Sequence, residues 1–234
     1  VALRRILLDT DLAMGAPGSD IDDGFALALA LADPELRVEM VTTVNGNTDV
    51  DTATRLSREL LARLGRTDIP VVGGADSGLT PSGRSGSVTS RAPSAGAGAG
   101  GSPAKESAAA ALVNRVRAEP GELTIVAIGP LTNVAIALAL EPAIASQVEG
   151  IVVMGGVYLE QTNVAAMPGE FNIWSDPVAA ALVLASGAPL RFVGLDVTRR
   201  VRLTREDAGA MAGAGGDFGA FAAACASEWI THLE

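Results

Sequence analysis

The sequence predicts an α/β fold: a mostly parallel, open sheet with helices on both faces. Three observations predict it. Short apolar runs alternate with amphipathic stretches from one end of the 234 residues to the other. The runs themselves, "IVVM" and "TIVAI" among them, show no polar alternation, as expected of strands covered on both sides. Aromatic residues make up only 3% of the chain while Ala and Gly are abundant, so the core must be built from Ala, Val, Leu and Ile on closely spaced layers. A hydrophobic content of 48% is normal for a packed core, and the length suits one domain over residues 1–234.

Taken in order, the apolar runs place strands at 5–8 (RILL), 38–44 (VEMVTTV), 69–72 (IPVV), 123–128 (LTIVAI), 151–154 (IVVM) and 190–195 (LRFVGL). Helices fill the stretches between them at 23–32, 50–64, 105–118, 132–140 and 177–185, with a last one at 218–230. The segment 77–103 breaks this rhythm. It is too rich in Gly, Ser, Ala and Pro to bury apolar area and is expected to be flexible, either as a surface linker or as a flap over a site at the strand ends.

Composition narrows the function. A formal net charge of −10 repels nucleic-acid backbones and anionic membranes, so neither is expected as a partner. Lys105 is the single lysine, at the edge of the flexible segment, which makes Schiff-base, phosphate-loop and pyridoxal chemistry improbable. Cys225 has no internal partner and lies in "FAAACA", which points to a buried structural thiol in a reducing compartment. The apolar run in "VALRRILLDTD" is too short for a signal sequence, and no segment reaches the ~20 apolar residues of a membrane span. A soluble, cytoplasmic protein is expected.

Ligands of open α/β sheets bind beyond the carboxyl ends of the strands. Residues after the first strand are Asp9, Thr10 and Asp11, with Asp22 and Asp23 close behind; after the second come Asn45, Gly46 and Asn47. "GPLTN" (129–133) follows the fourth, and Gly155, Gly156, Asn163 and "EFN" (170–172) follow the fifth. Each group is an oxygen donor, an amide or a tight turn, with no histidine or cysteine among them. Such surroundings favour a hard cation, Ca²⁺ or Mg²⁺, over zinc. Taken alone, Asp22 reads as a helix cap and the asparagines around Gly46 as turn formers. Asp9, Asp11, Asp22 and Asp23, gathered within fifteen residues, shift the balance toward a metal site. Side-chain amides beside a carboxylate, at Asn47, Asn163, Glu170 and Asn172, also suit the hydroxyls of a sugar, each of which donates and accepts.

"DTD" followed by "DIDDGFALALAL", "VTTVNGN", "VAIGPLTNVAIAL", "VVMGG" and "EFNIWSDPVAA" resembles the successive signatures of the inosine-uridine preferring nucleoside hydrolases, in order, over about residues 5–204. The resemblance implies a Rossmann-like α/β sheet and hydrolysis of the N-glycosidic bond of ribonucleosides with one bound Ca²⁺, within purine and pyrimidine salvage. It further implies that Asp11, Asp23 and the backbone carbonyl of Thr132 bind the ion, and that Asp11 takes the proton from the attacking water. Asp22, Asn47, Asn163, Glu170 and Asn172 would hold the ribose hydroxyls, with Met154 lining the sugar pocket. The family is generally dimeric or tetrameric, so a homodimer or homotetramer is expected.

The family pattern also carries a late His-Asp-Pro run, in which the aspartate completes the calcium shell and the histidine helps the departing base. Here the single histidine, His232, is followed by Leu233 and Glu234 and is not given that role. The expectation is therefore a nucleoside hydrolase-like domain without the family's C-terminal segment. The alternative is a non-catalytic, calcium-dependent ribose or nucleoside binder. A haloacid dehalogenase-type phosphatase shares a DxD at the first strand end but needs a lysine at the phosphate, which Lys105 does not provide.

Overall fold

The computed structural model describes residues 3–80, 106–159, 162, 169–214 and 216–234. Along the chain run β1 (Arg4–Thr10), α1 (Asp22–Ala32), β2 (Leu36–Thr43), α2 (Val50–Arg63), β3 (Val71–Gly73), α3 (Ala108–Ala118), β4 (Leu123–Ala127) and α4 (Thr132–Leu140). There follow α5 (Ile144–Gln147), β5 (Gly150–Met154), α6 (Phe171–Ser175), α7 (Pro177–Leu184), β6 (Leu190–Val193), α8 (Leu195–Thr198), α9 (Arg205–Gly213) and α10 (Gly216–Leu233). The six strands form one sheet in the order β3-β2-β1-β4-β5-β6, and every pairing is parallel. This is the doubly wound order, in which the chain reverses direction between β1 and β4 and leaves a crevice at their carboxyl ends.

Alternate residues of each central strand feed two separate cores. Leu7, Leu123, Ile125 and Ile151 pack with α3, α4, α5 and α7 on one face. Ile6, Leu8, Val38 and Val41 pack with α1, α2, α9 and α10 on the other. Helices thus cover both faces, as expected from strands without polar alternation. A register shift opposite Ile6 and Leu7 leaves Glu39 without a partner on β1. That shift puts Met40 on the face opposite both Val38 and Val41. It also brings Glu39 against Arg5 at 2.7 Å, Arg115 at 2.8 Å and Arg37 at 3.1 Å. Arg5 and Arg115 in turn pair with Glu119, so this ionic network ties β1, β2 and the end of α3 together.

Local chemistry moves several boundaries away from those read in the sequence. The strand expected from 69 begins at Val71, because Ile69 closes a turn onto Arg66 O and Pro70 has no N–H to give the ladder. The Ser107 side chain accepts from Ala110 N, so α3 starts at Ala108 rather than 105. The last strand, expected to reach 195, ends at Val193. Leu195 N donates to Gly156 O and Asp196 accepts from Tyr158 N and Leu159 N, which turns the chain into α8. Four helices were not expected, namely α5, α6, α8 and α9. Three have only four or five residues, too few to show a period; the fourth, α9, is fixed by a capping box between Thr204 and Asp207. Of the segment expected to be flexible, 81–103 lies outside the described residues, while Leu79 and Thr80 are hydrogen-bonded to Asp176.

Leu7 is fully buried in the central strand and is the clearest test of this packing. Leu7→Ala is expected to cost about 2–5 kcal/mol, read as a lower urea midpoint at unchanged slope. A loss well under 1 kcal/mol would contradict the buried position of β1.

Candidate active site

Parallel pairing of β1 with both neighbours sends its last residues into the crevice, and there the chain changes from apolar to acidic. Asp9 and Asp11, at the end of β1, have no solvent-exposed surface, and Asp23, in the first turn of α1, is nearly as deep. Thr10 Oγ1 donates to Asp23 Oδ1 at 2.7 Å, which locks α1 onto the strand. Asn47, in the turn after β2, donates its backbone N–H to Asp11 Oδ2 at 2.7 Å, and its side-chain amide lies 3.5 Å from Asp23 Oδ2. Three chain segments therefore bring Asp11, Asp23 and Asn47 together. Asp22 opens α1 with an exposed side chain that accepts from Asp23 N. The helix carries no side-chain cap, so Asp22 is not the N-cap that it would be in isolation.

Bare backbone surrounds the Asp11 carboxylate. A Cβ on Gly46 would stand 2.0 Å from Asp11 Oδ2, and one on Gly129 would stand 2.8 Å from Oδ1. Only glycine fits at these two positions. Beneath the site, Asp9 Oδ1 accepts from Thr42 Oγ1 at 2.5 Å and from Asn133 Nδ2 at 2.8 Å. Asn133 also donates to Thr43 O and accepts from Ala75 N, so one amide joins the ends of β1 and β2 to the chain after β3. Asp9 Oδ2 and Asp11 Oδ1 remain buried without a hydrogen bond from any other described residue.

Burial with no cationic partner among the described residues raises these carboxyls. Desolvation lifts Asp9 to about 6 against the hydrogen bonds from Thr42 and Asn133. Asp11 rises to about 7, first through desolvation and then through the charges of Asp22 and Asp9, with the Asn47 N–H opposing. Asp23 is pushed well above the usual carboxylate range by desolvation and by Asp11 and Asp22. Asp22 is also raised, by the protein packed around it and by Asp20, though water reaches its open side and screens it.

A second group lies beyond β5. Glu170 caps α6, its Oε1 accepting from Asn172 N at 2.9 Å and its Oε2 from Gly156 N at 3.0 Å and Ile173 N at 3.1 Å. The Asn172 amide donates to Ile128 O at 2.8 Å and Met154 O at 3.2 Å, and approaches Met154 Sδ at 3.4 Å. Ile128 N donates to Asp9 O, so a single residue after β4 connects this group to the backbone of Asp9. Thr132 opens α4, and its hydroxyl donates to Asp176 Oδ2 at 2.8 Å. Asn163 lies outside the described residues.

Among the described residues, no three or more His, Cys, Asp or Glu side chains are arranged to hold an ion by themselves. The donors at hand are two buried carboxylates, Asp11 and Asp23, with an orphaned oxygen on Asp11 and raised proton affinity on both. That set fits a hard cation completed by backbone oxygen, and it offers no soft ligand.

A family model described as inosine-uridine preferring nucleoside hydrolase matches residues 6–233. The chain belongs to this family. It is 38% identical to a probable uridine nucleosidase 2 of Arabidopsis thaliana over 214 residues, covering 87% of this chain and 63% of that protein. It is 41% identical to the pyrimidine-specific ribonucleoside hydrolase RihA of Escherichia coli O9:H4 (strain HS), with 86% and 63% covered. Among solved structures, a plant nucleoside hydrolase superposes with a TM-score of 0.82 at 32% identity, over 98% of this chain and 71% of the other. The purine-preferring ribonucleoside hydrolase of Gardnerella vaginalis gives 0.83 at 28% identity, over 99% and 73%. The chain thus spans just over three fifths of the length of these curated nucleoside hydrolase relatives.

Reasoning from residue types assigned no role to Thr42, Asn133 or the carboxylate of Asp176 beyond capping. "GPLTN" did single out the turn that carries Asn133, but contacts across more than a hundred positions leave no local signal.

The raised carboxyls set the pH dependence of the metal-free nucleoside hydrolase fold. An unfolded aspartate titrates near about 3.9, so between that pH and about 7 the folded chain holds protons that the unfolded chain has released. The stabilisation is complete below about pH 4 and is lost as pH rises through the folded values of about 6 for Asp9 and about 7 for Asp11. In chelator, the melting temperature at pH 7.5 is therefore expected to fall below that at pH 5, and a hard divalent cation at pH 7.5 is expected to recover it. Equal melting at the two pH values would show that these groups are not buried together.

Proposed function

We propose that the chain hydrolyses the N-glycosidic bond of ribonucleosides to free base and ribose, with Asp11 as the general base. The observation that carries this reading is the Asp11 carboxylate: buried in the crevice, lifted to about 7, backed by glycine backbone and left with one free oxygen. That raised proton affinity describes the metal-free site; with a cation bound the carboxylate is held ionised, and its position in the crevice lets it take a proton from water. Family membership supports the same reaction class.

Asp11, Asp23 and the Thr132 carbonyl are the groups that would hold Ca²⁺. Bound there, the ion supplies fixed positive charge that acidifies the attacking water and offsets repulsion among the carboxylates. Asp22, Asn47, Asn163, Glu170 and Asn172 hold the ribose hydroxyls, and Met154 lines the sugar. Both N–H groups of the Asn172 amide are engaged by the carbonyls of Ile128 and Met154, so its free Oδ1 acts as an acceptor. As the bond between C1′ and the base nitrogen breaks, its electron pair leaves with the base, and water oxygen bonds to C1′ while Asp11 takes the proton. The carboxylates around the sugar stabilise the positive charge that develops on the ring. No described residue is assigned to protonate the departing base, and no base preference is assigned.

The same reading places the protein in cytoplasmic nucleoside salvage as a dimer or tetramer. A single buried free thiol and the exposed apolar side chains Val178, Leu182 and Leu184 on α7 support it.

Release of free ribose from a panel of purine and pyrimidine nucleosides, with Ca²⁺ present or chelated, tests this function. Chelation is expected to abolish release. Asp11→Asn is expected to lower kcat by about 10²–10⁴-fold while the circular dichroism spectrum stays that of the folded chain. Full turnover after either treatment, or nucleoside binding without any ribose release by the wild type, would overturn it.

A further inference from the structure

The carboxylate of Asp176 is almost completely buried and does more than cap a helix. Its Oδ1 accepts from Ala179 N at 3.2 Å, the capping bond of α7, and also from Thr80 N at 3.1 Å and Thr80 Oγ1 at 2.8 Å. Its Oδ2 accepts from Leu79 N at 2.7 Å and from Thr132 Oγ1 at 2.8 Å. Five donors saturate a group with about four lone-pair sites, so nothing remains for substrate or solvent. Asp176 cannot be a catalytic residue in this arrangement.

What it does reach is the first turn of α4. Two neighbouring side chains there point to different anchors: Asn133 to Asp9 below the site, and Thr132 to Asp176. The chain between β3 and Thr80 links these anchors. Ala75 O accepts from Asn45 N beyond β2, Ala75 N donates to Asn133 Oδ1, and residues 79 and 80 end on Asp176. This strap crosses the carboxyl end of the sheet and meets the chain beyond β2, β4 and β5, which carries the candidate ligands. A Cβ on Gly78 would stand 3.1 Å from Asp176 Cγ, so the strap also lies close against the carboxylate.

We propose that Asp176 is the positioning residue of the site: by gripping the Thr132 hydroxyl and the strap on one carboxylate, it holds the Thr132 peptide in place for the cation. This inference rests on the reading of Thr132 as an ion ligand. Hydrogen-bonding partners behind ligands of this kind typically govern affinity by 10–100-fold. The role is separable from capping, because the cap uses Oδ1 and the Thr132 hydroxyl uses Oδ2.

The test is Ca²⁺ affinity by titration calorimetry on the whole chain, with metal-free melting measured alongside. Thr132→Val keeps the shape and branching but removes the hydroxyl, and it is expected to raise Kd about tenfold or more. Thr132→Ser, which keeps the hydroxyl, is expected to recover most of that loss, and Asp176→Asn to weaken binding at least as much as Thr132→Val. Unchanged affinity in Thr132→Val, or equal losses in the valine and serine variants, would overturn the inference while leaving the calcium site standing. A wild-type chain that binds no Ca²⁺ would overturn the site and this inference together.

Discussion

Three aspartates, Asp9, Asp11 and Asp23, are removed from water at one point of the molecule with no basic side chain among the described residues that hydrogen-bond to them. In an ordinary core this would be severely destabilising, since each ion loses hydration and each repels the others. The protein meets the constraint with neutral donors, Thr10, Thr42, Asn47 and Asn133, and with higher proton affinity on the carboxyls themselves. Most other features near the carboxyl end of the sheet follow from it. Gly46 and Gly129 bring bare backbone to Asp11, and Asn133 joins three chain segments beneath it.

The scaffold makes such a concentration of charge tolerable. Two separate apolar layers, one under α3, α4, α5 and α7 and one under α1, α2, α9 and α10, hold the sheet from both sides. The loops that line the crevice between β1 and β4 therefore spring from strands packed on both faces. The arginine and glutamate network around Glu39 gathers other parts of β1 and β2 onto α3, and so reinforces the strand that carries the acids. In this network the carboxylates have cationic partners, and Glu39 and Glu119 are lowered, first by their hydrogen bonds to Arg5. The same chain thus treats carboxylates in opposite ways: paired where they stabilise the fold, unpaired where they face the crevice.

The group beyond β5 shows how one residue can combine structural and chemical duties. Glu170 and Asn172 spend their hydrogen bonds on α6, Ile128 and Met154, and this fixes which of their atoms remain to meet a ligand. Because Ile128 also donates to the backbone carbonyl of Asp9, the two halves of the site are joined through one residue.

The sequence alone determined the α/β class, the six strands, and the position of the acidic and amide residues at strand ends, because periodicity and strand-end chemistry are local properties. "DTD", "NGN", "GPLTN" and "EFN" could each be read from a few neighbouring letters. It did not reveal α5, α6 or α8, whose one or two turns are shorter than any detectable period, nor the end of β6 at Val193, which depends on Gly156 and Tyr158 from another strand end. Nor did it show that Asp9 is held by Asn133, that Gly46 exists to admit Asp11, or that Asp176 binds Thr132 and the strap. Those facts join residues dozens of positions apart, and only the parallel sheet, by bringing its strand ends to one edge, places them within hydrogen-bonding distance.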